Sequence, residues 1–289
     1  MIVDKIISDD EIKLLEGEFI DYSEEKHKLI NEDTDVFIKN EEEGGYKLLF
    51  CLRKNVIPKD VNQVAKDNLL AAAKTSKTNN RGISTGRVDL NKMGTNVAEI
   101  LDPGMFQTRV RYENGTVSDY KISNKVRSMI AGYYDVYQRK HVIHLSSFSE
   151  SYPKKWNAVV PYVEYLNEYY SYVYPEDYKP RKEICKGIKF GLIGNTVFST
   201  LTLNYNFRTA LHKDKGDTGL SLLTTLGSWK GCYLGYPQFG YFVNVEEGDF
   251  FIMNPHEYHC NSHILDEQNM DRLSIVTYCR ARIISFLNI

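Results

Sequence analysis

The sequence predicts an α+β protein with a mainly β core, an antiparallel jelly roll or sandwich against which helices of the first half pack. Apolar residues follow the two-residue period of strands in the last hundred positions, at 198–204, 219–226, 241–245, 250–253 and 273–278. Glycine-containing turns separate these runs, at Gly227-Ser228, Gly231, Gly240 and Glu247-Gly248-Asp249. Before them the spacing is largely helical. Trp156, Val159, Val160, Val163, Leu166 and Tyr169 recur every three or four positions and predict a helix over 154–174 with one buried face.

Taken in order, residues 1–45 are rich in Asp, Glu and Lys with a broken helical pattern, and predict a peripheral helix followed by a loop. The apolar run 46–52 has strand length, and the alanine-rich stretch 58–74 suits a helix. Segment 105–127 alternates in places and carries a hairpin turn at Glu113-Asn114-Gly115-Thr116. Residues 178–189 hold Lys179, Arg181, Lys182, Lys186 and Lys189 against Glu183, which reads as a phosphate-facing rim or a plain surface loop. The expected organisation is a single domain over 1–289. Within it, 1–74 form an N-terminal helical elaboration and 190–289 the half that binds metal.

Net charge is -2 over 289 residues, so no global field drives the chain onto nucleic acid or membrane. A polyanion needs a local basic surface. From 74 to 92 the bases Lys74, Lys77, Arg81, Arg87 and Lys92 face only Asp89, five against one or +4, among glycines and small polar residues. A solvated loop has the same composition. No run is long enough for a membrane span and the N-terminus lacks a secretory core, so the expected location is cytoplasmic, or nuclear in a eukaryotic setting. The 5 cysteines are scattered without a CxxC pair, which fits reduced intracellular thiols.

The chemistry gathers around His212-Lys213-Asp214. Side chains two apart on an extended segment point the same way, so this imidazole and carboxylate can share one metal ion. A third ligand is expected from His256, His259 or His263. His259 is the choice, because it falls just past the strand at 250–253 where a ligand can turn inward. Two His and one carboxylate on one face of an ion, with open positions opposite, describe the facial triad of non-haem Fe(II) oxygenases. Such an iron needs a further reductant to activate dioxygen. Arg272, at the start of the last strand, is placed to clamp the far carboxylate of 2-oxoglutarate bidentately, the alternative being a surface ion pair.

The stretches 203–217, 248–261 and 272–278 resemble the TET/JBP family of 2-oxoglutarate/Fe(II) dioxygenases, in particular its viral, phage and algal branch. Residues 80–86 and 123–135 share that likeness. The resemblance implies a double-stranded β-helix with iron on His212, Asp214 and His259 and the cosubstrate carboxylate on Arg272. It also implies oxidation of the 5-methyl group of 5-methylcytosine or thymine in DNA, with dioxygen as co-reactant; the sequence itself makes no obligate protein partner evident. Asn204 and Asp217 are expected beside the cosubstrate, and Arg81, Arg87 and Arg208 toward the DNA. Asp217 also matches a relative that uses ascorbate in place of 2-oxoglutarate, so the cosubstrate stays open. Gly231-Cys232-Tyr233-Leu234-Gly235-Tyr236-Pro237 departs from the family's central hairpin. Two rival readings remain: a hydroxylase of a protein, nucleotide or small molecule on the same scaffold, and a metal-free β-sandwich binding module.

Overall fold

The computed structural model describes residues 1–137 and 141–285; the last four positions of the half assigned to metal binding lie outside the described residues. The chain runs through β1 (Ile2–Val3), α1 (Asp9–Leu14), β2 (Lys28–Ile30), β3 (Thr34–Lys39), β4 (Tyr46–Arg53) and α2 (Lys59–Thr75). A single 3-10 turn (Gly82–Thr85) leads to α3 (Leu90–Met93), β5 (Val97–Ile100), β6 (Val110–Tyr112), β7 (Ser128–Tyr137) and β8 (His141–Leu145). Then follow α4 (Ser147–Ser151), α5 (Pro153–Val173), α6 (Pro175–Cys185), β9 (Thr200–Tyr205), β10 (Ser221–Ser228) and β11 (Leu234–Tyr236). The chain closes with β12 (Tyr241–Val243), β13 (Phe250–Met253), β14 (Cys260–Asn261), β15 (Asp271–Tyr278) and α7 (Ala281–Ser285).

Two sheets face each other. The large one has the order β1-β3-β4-β13-β10-β15-β9-β7-β8, and the small one β14-β11-β12-β2. Among the described strands they form an open sandwich of jelly-roll type, without closing into a barrel. Strand alternation decides what lies on each side of the large sheet. Leu201 and Leu203 of β9, with Leu273 and Ile275 of β15, join the cluster that packs under α2 and α5. Their alternates, Thr202, Asn204, Arg272, Ser274, Val276 and Tyr278, turn the other way and line a cavity. One leucine-rich period thus fixes the core and the site together. Farther along the inner face, Phe50, Leu223, Tyr236, Phe251 and Met253 fill the space between the sheets.

Helix α5 follows its predicted face: Val159, Val163 and Leu166 are fully buried, and the Tyr162 hydroxyl meets Thr224 Oγ1 at 2.5 Å. Each such aliphatic side chain contributes about 1.5–3 kcal/mol on burial, which anchors the helix against β9, β10 and β15. Gly227 performs the opposite task, close approach. It adopts φ +105° opposite Arg272, and a Cβ there would lie 1.8 Å from the Asp271 carbonyl oxygen. Gly227→Ala is expected to lower unfolding free energy by about 2 kcal/mol or more, read from urea denaturation, because backbone and not a flexible side chain must move.

Two expectations need correction. The N-terminal 74 residues are not a helical elaboration, since β3 and β4 extend the large sheet and β2 joins the small one. Strand β4 covers the edge of β13, from Phe250↔Arg53 to Met253↔Phe50, and so protects backbone groups that would otherwise be unpaired. Residues 178–189 are not a rim loop, because most lie in α6 and Arg181 is buried within it. The Arg181 guanidinium donates to the Leu220 and Thr218 carbonyls and to the Tyr170 hydroxyl, which makes it a structural tie. The hairpin turn expected at 113–116 forms, with Tyr112 N–H donating to Thr116 O, Ser118 N–H donating to Val110 O and Arg111 bridging Val117 antiparallel, while β6 also pairs along its length with β5.

Candidate metal centre

His212 and His259 come together through the backbone. Each N–H donates to the other's carbonyl, at 3.0 and 2.9 Å, in an isolated antiparallel bridge that leaves the imidazole centroids 4.4 Å apart. Residues 212–214 are an extended segment outside the sheets, pinned also by Asp214 N–H donating to Pro255 O at 2.8 Å. Both rings are oriented by carbonyls. His212 Nδ1 lies 2.8 Å from Ala210 O, and His259 Nδ1 lies 2.9 Å from Glu257 O. With Nδ1–H donating to these carbonyls, each ring turns Nε2 inward as a free lone pair, which is how a protein fixes the tautomer of a metal-binding histidine.

The two Nε2 atoms reach the same carboxylate, His212 at 3.7 Å from Asp214 Oδ1 and His259 at 3.6 Å from Oδ2. All three ligand atoms lie within 4.8 Å of one another, a set that can hold one ion. Burial, and then the neighbouring His259, push the His212 imidazole down to about 4, so it is neutral near pH 7. Burial would raise Asp214, but His259 and His212 beside it and the Arg81 guanidinium hold its carboxyl well below the usual range. Neutral imidazole and ionised carboxylate are the states a cation needs. His256 and His263 are not part of this set among the described residues.

The triad opens onto a cavity of about 580 Å³ whose wall includes Arg81, Asn204, Asp217 and Arg272. Arg272 is 2% exposed, and its Nε is buried without a partner. No described residue accepts a hydrogen bond from its guanidinium, while its backbone N–H donates to Asn206 Oδ1 at 2.8 Å. A buried cation without a counter-ion is costly unless an anion arrives, so the donor set fits a carboxylate ligand such as 2-oxoglutarate. Asn204 Oδ1 accepts from Ser128 Oγ at 2.6 Å. Asp217 is pushed up to about 8 by burial and by Asp214, with only a long bond from Ser221 Oγ.

Of the residues expected toward DNA, only Arg81 reaches the cavity, where its Nε is also unpartnered. Arg87 is held by Glu18 at 3.1 Å and by the Gly104 carbonyl at 2.7 Å, and braces the loop that follows. Arg208 pairs with Asp21 at 2.7 Å and donates to the Asn261 carbonyl at 3.1 Å. These two are occupied ties and do not line the cavity. Sequence reasoning missed Met105, Phe106, Gln107 and Lys121, which line the mouth from a small lobe built on Met93, Val97 and Val110. It also missed Trp229, whose ring lies 5.3 Å from the Arg272 guanidinium carbon. Register could have found it, since β10 pairs Gly227 with Arg272 and the tryptophan lies two residues on.

Facing sheets and an open-sided His-Asp-His set beside an unpaired buried arginine define the class, a 2-oxoglutarate/Fe(II) dioxygenase. More narrowly, residues 129–281 match the Tet/JBP family, described as the oxygenase domain of the 2OGFeDO superfamily, and the chain belongs to that family. Thymine dioxygenase JBP1 of Leishmania tarentolae is 36% identical over 164 residues, 53% of this chain and 19% of that protein. The bifunctional helicase and thymine dioxygenase JBP2 of Trypanosoma cruzi (strain CL Brener) is 35% identical over 167 residues, 54% of this chain and 15% of that protein. The match thus spans about one-fifth or less of these relatives' length. A solved structure of NgTET1 in complex with 5mC DNA shares the fold, at TM-score 0.54 and 12% identity over 88% of this chain and 81% of that one. Among the described residues no helix is long and apolar enough to cross a membrane.

Proposed function

We propose that the chain is an Fe(II)/2-oxoglutarate-dependent dioxygenase that hydroxylates the 5-methyl group of a pyrimidine in DNA. The observation that carries this is one cavity holding both the His212-Asp214-His259 set and the unpaired guanidinium of Arg272. The substrate reading draws on the relatives described as thymine dioxygenases and on the neighbour solved with 5mC DNA. When bound, iron would activate dioxygen with two electrons drawn from 2-oxoglutarate, so that one oxygen atom goes to the methyl carbon and the other to the cosubstrate, which leaves as succinate and carbon dioxide.

The protein's own residues hold and orient the reactants. His212 and His259 present Nε2, and Asp214 presents a carboxylate oxygen, while the Ala210 and Glu257 carbonyls keep the rings from turning. Arg272 clamps the distal carboxylate, and Leu223, Leu234, Met253 and Val276 line another part of the cavity with apolar surface. Asn204 and Asp217 flank the cosubstrate, and Arg81 stands where a base or its phosphate enters. About 580 Å³ lies within the usual range for pockets of small organic ligands and suits a dicarboxylate with one pyrimidine nucleotide. Since the triad lies in the wall of a cavity, the target base must leave the duplex stack to reach it, at a cost of a few kcal/mol.

The test is incubation with Fe(II) and 2-oxoglutarate on thymine-containing DNA, on 5-methylcytosine DNA and on the free nucleosides. Digestion and mass spectrometry should show a gain of one oxygen on a base from DNA. A parallel arm with ascorbate replacing 2-oxoglutarate decides the cosubstrate. Unchanged bases in both DNAs, with succinate formed on some other substrate, would reject the DNA reading while leaving the enzyme class.

A further inference from the structure

We infer that Trp229 is a positioning residue for the cosubstrate: its indole face holds the Arg272 guanidinium in place without occupying the donors that the incoming dicarboxylate must use. This rests on Arg272 being the carboxylate clamp proposed above. A guanidinium buried to this degree ordinarily has a carboxylate partner, and that partner would compete with any ligand for the same N–H groups. Here the nearest acid in sequence, Asp271, turns to Lys74 at 3.1 Å instead. What faces the guanidinium is the Trp229 ring, 5.3 Å from centroid to the guanidinium carbon. An aromatic face compensates part of the cation's lost hydration through the ring's negative quadrupole, and leaves the in-plane N–H fork free.

The ring is fixed from behind. Trp229 packs on the small cluster of Cys232, Ile264 and Met270, at the end of β10 where Gly227 pairs with Arg272. Met270 O also accepts from Asn206 Nδ2, and Asn206 Oδ1 accepts from the Arg272 backbone N–H at 2.8 Å. The clamp, its backbone anchor and its aromatic support therefore form one connected unit. With Trp229 removed, the guanidinium loses its only described face-on neighbour, and its rotamers spread.

The experiment titrates 2-oxoglutarate into the anaerobic Fe(II)-loaded protein as wild type, Trp229→Phe, Trp229→Leu and Arg272→Met. The chain has 2 tryptophans, so the wild-type minus Trp229→Phe emission reports Trp229 itself. A saturable change in that difference is expected on binding. Trp229→Leu should raise the 2-oxoglutarate Kd roughly tenfold, about 1.4 kcal/mol, with Fe(II) affinity unchanged, and Trp229→Phe should restore binding to within about threefold of wild type. Wild-type binding by Trp229→Leu alongside lost binding by Arg272→Met would overturn the inference and leave the Arg272 reading intact. Wild-type binding by Arg272→Met would remove that reading too. If Trp229→Leu does not fold, an emission difference unchanged at saturating 2-oxoglutarate overturns the inference alone.

Discussion

His212→Ala is expected to leave a folded protein that no longer holds stoichiometric iron and turns over at under about 1% of the wild-type rate, since even supporting residues cost 10–100-fold in metal affinity. Folding should survive because the pairing of residues 212 and 259 runs through backbone groups, which alanine retains. Circular dichroism checks the fold, and iron content after anaerobic loading checks the site. Asp214→Asn sharpens the comparison by keeping shape and removing charge, and iron should again be lost. A metal-free binding module would instead show iron-independent behaviour in all three proteins.

Arg272→Met should raise the 2-oxoglutarate KM by about 100-fold or more, as loss of one partner in a buried charge pair costs about 2–5 kcal/mol. Without ligand the same change removes a buried cation whose Nε has no partner, so thermal stability should hold or rise. A clamp and a structural ion pair differ here in sign. Were Arg272 structural, binding would be spared and stability would fall. Arg272→Lys keeps the charge but not the planar fork, and should fall between wild type and methionine. Calorimetric titration of the cosubstrate and differential scanning of the metal-free protein measure the two arms.

The metal set was legible because its chemistry is local at two places. His212 and Asp214 lie two residues apart, and His259 follows an unbroken apolar run ending at Met253. Helix α5 was legible for a similar reason, as its buried residues repeat along a single element. Strand β3 was hidden because Thr34–Lys39 buries only Val36 and Ile38 and shows charge elsewhere, which reads as a peripheral loop. The ties of Arg87 and Arg208 were hidden because their partners, Glu18 and Asp21, are distant in sequence and belong to a segment with no pattern of its own. Arg181 misled for the same reason, since the carbonyls of Thr218 and Leu220 that bury it leave no trace in composition. The basic stretch at 74–92 told that charge was present. Only the fold told that Arg81 alone of its arginines turns into the cavity.

The claim that this cavity couples cosubstrate decarboxylation to oxidation of a methylpyrimidine is tested most directly by stoichiometry. Succinate and oxidised nucleoside are measured in the same reaction on DNA carrying thymine or 5-methylcytosine. The account predicts one succinate for each methyl oxidation step, with both products absent in His212→Ala. Succinate accumulating at the same rate with and without DNA, and no oxidised base, would contradict it.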